Sequence, residues 1–219
     1  MDEARLREEI RRVGESLFAR GYAHATAGNI SVRLDDGGFL ITPTDACLGL
    51  LDPGTLAKVD AAGAQVAGGL ASKTLALHRR IYEAEPEARC IIHTHSTHLV
   101  ALTLAGAWRD TDIVPPITPY YVMKVGHVPL IPYHRPGDPR GADLVADAIA
   151  AARRRGAPLR AVMLDRLGPN VWHQTPAAAM AVLEELEETA KLWLATGRTA
   201  TALTEEQIDE LRRAFGARW

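Results

Sequence analysis

The stretch CIIHTHSTHLVAL, residues 90–102, decides the fold, because it joins an apolar strand to an apolar helix through a run of histidines. Residues two apart on a strand project from the same face, so the spacing predicts that His93 and His95 present their imidazoles side by side. Two neutral imidazoles in that arrangement suit one divalent metal ion of the zinc type, to which a catalytic site adds a third protein ligand. The alternative interpretation is that both are core or surface histidines satisfied by hydrogen bonds.

The segments on either side of this stretch alternate between helical and extended patterns. Apolar residues at helical spacing predict an amphipathic helix over 2–20, further helices after Thr97 and over 141–155, and a long helix over 176–194. Alternating apolar residues around DDGG, residues 35–38, predict a β-hairpin, and RAVMLD, residues 160–165, predicts a strand. Ser72 is placed to cap a helix, and Thr204 with Gln207 predicts a capping box on the last helix.

The remaining segments contain no boundary between domains. The proline-rich segment 114–139 predicts two short extended pieces and a loop rather than a helix. No internal repeat, low-complexity tract or linker interrupts the chain. We therefore expect residues 1–219 to form a single α/β domain with a mostly antiparallel or mixed sheet and helices packed against it.

The composition argues against several classes of protein. With 25 basic and 27 acidic residues, the chain has no large cationic field for nucleic acid. Its apolar runs fall short of the roughly 18 residues that a membrane helix needs, and the charged start MDEARLREEI is not a signal peptide, so we expect a cytoplasmic protein. Cys47 and Cys90 lack metal-type spacing and are expected to be small core residues rather than a disulfide.

Four polar residues form a candidate phosphate site. Asn29 after Gly28, Thr44 after Pro43, and Ser72 with Lys73 at a helix start supply neutral donors, backbone N–H groups and one cation, which suit a dianionic phosphate. Each residue also has a purely structural interpretation, as part of a turn, a loop or a helix cap.

The order of these motifs resembles the class II aldolase/adducin family over essentially the whole length. The resemblance rests on the following segments: TAGNISVRL (26–34), LITPT (40–44), SKTLALH (72–78), HTHSTH (93–98), IPYHRPGD (131–138) and ELEETAKL (185–192). It implies a three-layer α/β/α fold, a homotetramer with active sites between subunits, and a divalent metal, usually zinc. Asn29, Thr44 and Ser72 are then expected to bind phosphate, and His93 and His95 to bind the metal.

Within that family the segments PTDACLGLLDP (43–53) and TPYYVMKVGHVPLIPYHRPGD (118–138) most resemble those of the 3-oxo-tetronate 4-phosphate decarboxylases. The resemblance implies a metal-dependent carbon–carbon lyase that releases carbon dioxide from a phosphorylated sugar acid and leaves an enediolate, whose protonation gives dihydroxyacetone phosphate. Two alternatives remain open: an aldolase or epimerase acting on a sugar phosphate, or a homologue that has lost the chemistry and serves for binding or assembly.

The sequence departs from the family at two positions. Thr74 stands where family enzymes carry a Glu that acts as acid and base, and a threonine cannot titrate near neutral pH. Lys73 is a candidate proton carrier in its place, although it can equally serve only to neutralise an anion. Leu167 stands where the family has its third metal-binding His. The substitutes considered for that ligand are His98, His127, His134 and Asp165, whereas His24 and His173 are expected to be surface or packing residues.

Two further groups of residues complete the candidates. Some family aldolases use a Tyr from the neighbouring subunit to move a proton, and Tyr120 and Tyr121 occupy that segment, although both can also pack an intersubunit surface. The acidic run at Glu184, Glu185, Glu187 and Glu188 is expected to be the solvated flank of a helix rather than a metal site.

Overall fold

An eight-stranded mixed sheet forms the centre of the computed structural model, which describes residues 2–219. The strand order is β4-β3-β2-β1-β5-β8-β7-β6, and every neighbouring pair is antiparallel except the parallel pair β6 and β7. The strands are β1 (Asn29–Arg33), β2 (Phe39–Ile41), β3 (Ala57–Val59), β4 (Gln65–Ala67), β5 (Cys90–His93), β6 (Leu130–Ile131), β7 (Ala161–Leu164) and β8 (Gly168–His173). The predicted hairpin is confirmed, with Val32 opposite Leu40 across β1 and β2.

Helices cover both faces of this sheet and make the fold a three-layer α/β/α arrangement. The helices are α1 (Glu3–Ala19), α2 (Leu75–Ala84), α3 (Thr97–Ala105), α4 (Pro139–Arg154), α5 (Pro176–Ala195) and α6 (Glu205–Phe215). Apolar residues of α1, α3 and α5 pack in one buried cluster on one face, and those of α2 and α4 pack in a second cluster on the other. The predicted α/β fold with a mostly antiparallel, mixed sheet is therefore confirmed.

The central strand β5 explains why the sequence around the histidines is almost continuously apolar. Ile92 faces the cluster formed with α1, α3 and α5, whereas Ile91 faces the cluster formed with α2 and α4. A strand covered on both faces buries every side chain, so it carries no polar alternation. His93 is the last residue of this strand, and His95 lies just beyond it, before α3 begins.

Two local predictions differ from the structure. The proline-rich segment contains only one short strand, β6, and residues Tyr121–Val125 form a π-helical turn instead of an extended piece. The turn is possible because the last proline before it is Pro119, and the Thr118 hydroxyl accepts a hydrogen bond from the Tyr121 amide at 3.1 Å. Helix α2 begins at Leu75 with Thr74 at its N-cap, so Ser72 lies before the helix rather than at the cap.

The acidic run on α5 also differs from expectation at one residue. Glu187 is buried, with 4% of its surface exposed, and its carboxylate accepts hydrogen bonds from the backbone amides of His98 at 2.9 Å and Leu99 at 3.0 Å. These amides belong to the first turn of α3, where helix N–H groups have no partner within the helix. Glu187 therefore caps α3 from another element, and the prediction of a solvated flank is wrong for this side chain.

The capping box on α6 is formed by Thr204 and Gln207, as predicted. Cys47 and Cys90 are both free thiols; Cys90 is fully buried, as expected of a core residue, whereas Cys47 is only half-buried and the expectation is wrong for it. Within residues 2–219, none of the helices has the length and apolar character required to cross a membrane.

Candidate functional site

A cavity of about 350 Å³ opens where β5 ends and β1 begins. All six residues nominated for metal or phosphate binding line it: Asn29, Thr44, Ser72, Lys73, His93 and His95. They come from four separate segments of the chain, and the fold brings them to one wall.

The two histidines are neutral at pH 7 and face each other edge to face. Their ring centroids are 5.1 Å apart, with an interplanar angle of 68°. Burial lowers the pKa of His93 to about 4, helped by the charge of His95, and burial with the nearby His24 lowers the pKa of His95. Nδ1 of His93 donates to the Pro169 carbonyl at 2.8 Å, which leaves the lone pair on Nε2. This is the protonation state that a metal ligand requires.

Close backbone approach positions this pair. A Cβ on Gly28, which has φ +95°, would lie 2.7 Å from the His93 carbonyl oxygen, so only glycine lets β1 begin so near the end of β5. Gly168, with φ +127°, meets the Thr94 carbonyl in the same way at the start of β8. The two glycines therefore allow both neighbouring strands to meet β5 at its histidine end.

A buried polar row crosses the sheet at this end. Asn29 lies opposite His93 across β1 and β5, and His93 lies opposite Asn170 across β5 and β8, with all three side chains buried. Among residues 2–219, no protein group bonds to Oδ1 of Asn29 or to either polar atom of the Asn170 amide. The site therefore carries more hydrogen-bonding capacity than the protein itself satisfies.

A hydrogen-bonded chain next to the row fixes the form of His78. The Tyr82 hydroxyl donates to the Ser31 carbonyl at 3.0 Å, so the Ser31 hydroxyl donates to the Tyr82 oxygen at 2.8 Å and accepts from Nδ1 of His78 at 2.7 Å. Nε2 of His78 is left unprotonated, fully buried and without a partner in the described part of the chain. Burial, with the nearby His93, lowers the pKa of His78 to about 3.

Of the four residues considered as a third metal ligand, only His134 lines the cavity. Its Nδ1 donates to the Pro132 carbonyl at 2.7 Å, so Nε2 carries the lone pair. His98 is bonded to Glu187 at 2.8 Å and His127 to Asp112 at 2.8 Å, while Asp165 lies 3.9 Å from Arg166. In the described residues, no group of three His, Cys, Asp or Glu side chains is close enough to hold a metal ion.

Thr74 and Leu167, the two positions at which the sequence is expected to depart from the family pattern, line the same cavity. Thr74 lies at the start of α2, and Leu167 lies just before β8. Neither side chain can replace a carboxylate or an imidazole as a metal ligand. The donors that the candidate residues offer to a divalent ion at this cavity are therefore the imidazole nitrogens of His93 and His95, a ligand type that zinc accepts.

The phosphate candidates surround the start of α2. The Ser72 hydroxyl is bonded to the Thr74 hydroxyl at 2.9 Å, and the Thr44 hydroxyl donates to the Ala71 carbonyl at 3.2 Å. Lys73 is exposed at the mouth of the cavity. Arg135 also lines it and was not nominated from the sequence, although its motif YHRPGD was the available signal.

The two tyrosines lie outside this cavity. Tyr121 is fully buried, its hydroxyl has no partner among residues 2–219, and burial together with the charge of Asp112 raises its pKa well above 10. Tyr120 is 60% exposed on the surface beside it. A role for either residue in another subunit's site stays a prediction, and the geometry favours Tyr120. His24 is exposed, as expected, with its ring centroid 6.5 Å from that of His95.

Comparison with known proteins identifies relatives for this arrangement. A protein of Cupriavidus necator named 3-oxo-tetronate 4-phosphate decarboxylase is 57% identical, over 99% of each chain. The crystal structure of YgbL from Escherichia coli, described as an aldolase, epimerase or decarboxylase, has a TM-score of 0.88 and 43% identity over 96% of this chain and 99% of its own. An L-fuculose phosphate aldolase of Haemophilus influenzae is 28% identical over 98% of this chain and 95% of its own. Residues 8–194 match the family described as Class II Aldolase and Adducin N-terminal domain, and the chain belongs to that family.

Proposed function

We propose that this protein is a metal-dependent carbon–carbon lyase that decarboxylates a 3-oxo-tetronate 4-phosphate. The observation that carries the proposal is the convergence of a neutral histidine pair and a phosphate-type cluster on one cavity. It is supported by the relative of that name, which matches this chain along nearly its whole length.

The metal belongs to the pair His93 and His95. Members of the family typically depend on a divalent metal, and we propose Zn²⁺ because imidazole ligands suit it. When bound, such an ion would supply Lewis-acid stabilisation of the negative charge that develops on the oxygen of the substrate's C3 carbonyl. The Pro169 carbonyl orients the His93 ring, so that its lone pair stays available to the ion.

The chain's own residues would hold the substrate by its phosphate. The start of α2 offers backbone N–H groups and the Ser72 hydroxyl, and Lys73 and Arg135 add positive charge at the mouth. Asn29 lines the same cavity, and its amide nitrogen is the donor that it would offer to the phosphate. The substrate's carboxylate end then lies toward the histidines.

The reaction itself needs one bond broken and one proton added. The bond between C1 and C2 breaks, carbon dioxide leaves, and the electron pair forms the enediolate of C2 and C3. A proton delivered to C2 gives dihydroxyacetone phosphate. Lys73 lines the cavity and is one candidate donor, and Tyr120 of a neighbouring subunit is the other, whereas Thr74 cannot fill this role.

The same proposal extends to the assembly, the location and the domain organisation of the protein. We propose a homotetramer with active sites at subunit boundaries, a cytoplasmic location, and one domain over residues 1–219. In such an assembly a neighbouring subunit would bring Tyr120, the second candidate proton donor, to the cavity that Lys73 already lines.

Two alternatives have specific support. A sugar-phosphate aldolase or epimerase would use the same enediolate, and the L-fuculose phosphate aldolase relative favours it. The alternative of a binding or structural homologue that catalyses no reaction is favoured by Thr74 and Leu167. Neither side chain supplies the carboxylate or the imidazole that the family resemblance leads one to expect at its position in the cavity.

The test is to supply a 3-oxo-tetronate 4-phosphate and measure carbon dioxide and dihydroxyacetone phosphate together. The proposal expects both products in equal amounts, abolition by a chelator, restoration by a divalent metal, and loss in the His93→Ala, His95→Ala variant. Cleavage to an aldehyde without carbon dioxide would identify an aldolase. No turnover by the remetallated, folded protein would favour the binding role.

A further inference from the structure

A second cavity, of about 390 Å³, lies at the opposite end of β5 and β8 from the histidine pair. It opens where β5 begins and β8 ends, and its lining includes Arg153, Arg160 and Arg218 together with Glu85, Trp172 and His173. Its volume is within the range of about 300–1,000 Å³ that is usual for small-molecule sites. The proposed lyase reaction makes no use of it.

The charges around this cavity do not cancel. Arg153 is paired with Glu85 at 2.8 Å, whereas no carboxylate of residues 2–219 lies within 4.0 Å of the Arg160 or Arg218 guanidinium. Glu87 also lines the cavity, but it is exposed at the rim. The cavity therefore carries an excess of positive charge that the described chain leaves without a counter-ion.

The unpaired positive charge of Arg160 is destabilising, because its side chain is half-buried. Its Nη1 donates to the backbone carbonyls of Met123 at 3.1 Å and Lys124 at 2.8 Å, which fixes the guanidinium in place. Burial, together with the positive charge of Arg218, lowers the pKa of Arg160. Burial also lowers the pKa of His173, and the positive charge of Arg160 lowers it further. A half-buried charge without a carboxylate partner is stabilised when an anion from outside the chain joins it.

Neutral donors complete the lining. Nδ1 of His173 accepts a hydrogen bond from the Gln174 amide at 2.8 Å, so the ring proton of neutral His173 is on Nε2. Trp172 also lines the cavity, and its indole N–H is buried with no partner among the described residues. Glu85 accepts from Arg153 through Oε1, and its buried Oε2 has no partner among the described residues. The N–H groups of Trp172, His173, Arg160 and Arg218 still outnumber this one unpartnered buried acceptor.

We propose that this cavity is a second binding site, for a small oxyanion such as a phosphate or a carboxylate, held by Arg160 and Arg218 with His173. The guanidinium groups supply charge-assisted, two-pronged hydrogen bonds to such a group, and the cavity volume of about 390 Å³ is that of a small-molecule site. The site lies apart from the lyase cavity and does not depend on the proposed function.

The test is a titration of the full-length protein with inorganic phosphate and, separately, with citrate, followed by calorimetry and tryptophan fluorescence. It is run in a Ser72→Ala, Lys73→Met background, so that the lyase cavity contributes little binding. We expect saturable binding at concentrations below about 10 mM, and a loss of at least about tenfold in Arg218→Gln, which corresponds to about 1.4 kcal/mol. Trp172→Phe should remove the fluorescence response.

Matched variants keep the result interpretable. Arg154→Gln, which changes a guanidinium of α4 that does not line the cavity, should bind as tightly as the parent. Arg218→Gln is preferred to a change at Arg160, because the Arg160 side chain also binds the backbone carbonyls of Met123 and Lys124. Unchanged thermal unfolding confirms that the Arg218→Gln variant folds. Equal affinity in the parent and in Arg218→Gln would overturn the proposal. So would an Arg218→Gln variant that loses oligomers without any response to anions, because the counter-ion would then be a carboxylate of another copy.

Discussion

His93 lies directly opposite Asn170 in the register of β5 and β8, and both side chains are buried. The imidazole has a partner for Nδ1 in Pro169, but neither polar atom of the Asn170 amide has a partner among residues 2–219. A buried amide without hydrogen bonds is destabilising, whereas an apolar side chain of similar volume is tolerated there.

We therefore expect Asn170→Leu to raise the free energy of unfolding by about 1 kcal/mol, measured by urea denaturation. Asn170→Asp is the control, because it buries a carboxylate at the same position and should destabilise the protein. Destabilisation by the leucine variant would contradict this account, since it would mean that the amide is bonded through an internal water.

Leu167→His should restore a third imidazole to the cavity that already holds His93 and His95. Because three protein ligands are usual in catalytic zinc sites, we expect metal affinity to rise at least about tenfold, or about 1.4 kcal/mol. Competition with a chromophoric chelator measures the change. Leu167→Phe, which changes shape without adding nitrogen, should leave the affinity unaltered, and a similar gain in that variant would refute the reasoning.

Lys73→Met tests whether this lysine binds phosphate or carries a proton. A phosphate role predicts that KM for the phosphorylated substrate rises about tenfold or more while kcat changes little, because the same contact exists before and during the reaction. Lys191→Met, on the exposed side of α5, serves as the control. A large fall in kcat at constant KM would instead assign the proton transfer to Lys73.

Two buried histidines should make stability depend on pH. Burial holds the pKa of His78 at about 3 and that of His93 at about 4, whereas an unfolded histidine titrates near 6.5. Between those values the unfolded chain binds protons that the folded chain does not, so the free energy of unfolding falls as the pH falls from about 6.5 to about 4. Each histidine contributes up to about 1.4 kcal/mol per pH unit in this window.

Urea midpoints of the metal-free protein over this range measure the effect. His78→Gln should show a shallower fall than the parent, because one of the two groups no longer titrates. An identical fall in both proteins would contradict the assignment to His78.

Glu187→Ala should cost about 2–3 kcal/mol of unfolding free energy, because its carboxylate accepts the first-turn amides of His98 and Leu99. Glu15→Ala removes an exposed ion pair with Arg11 and should cost less than about 1 kcal/mol. Thermal unfolding of the two variants makes the comparison. Equal small effects would show that the cap on α3 is dispensable.

The sequence predicted those elements whose signals are local. The hairpin of β1 and β2, helices α1, α3 and α5, and the capping box at Thr204 each depend on residues within a few positions of one another. Strands β3 and β4 are each three residues long, which is too short to show an alternation of apolar and polar residues. Strand β8 begins with Gly168-Pro169, a pair that is typical of a turn. These strands exist because neighbouring strands offer them hydrogen bonds.

The site shows the same division between local and distant information. Short sequence motifs correctly predicted five residues that line one cavity: His93 and His95 from their spacing, and Asn29, Thr44 and Ser72 from the segments around them. The partners of His98, His127 and Glu187 lie far away in the chain, so their spacing could not reveal that those groups are already bonded elsewhere. The burial of Tyr121 likewise follows from tertiary packing, which the segment's composition did not indicate.

The most direct measurement is the metal content of the purified protein, by plasma mass spectrometry, before and after remetallation. The proposed site predicts about one divalent ion per chain, lost in the His93→Ala, His95→Ala variant while the fold is retained. A remetallated parent that holds no more metal than that variant would contradict the central claim, and the cavity would then bind phosphorylated ligands without metal-dependent lyase chemistry.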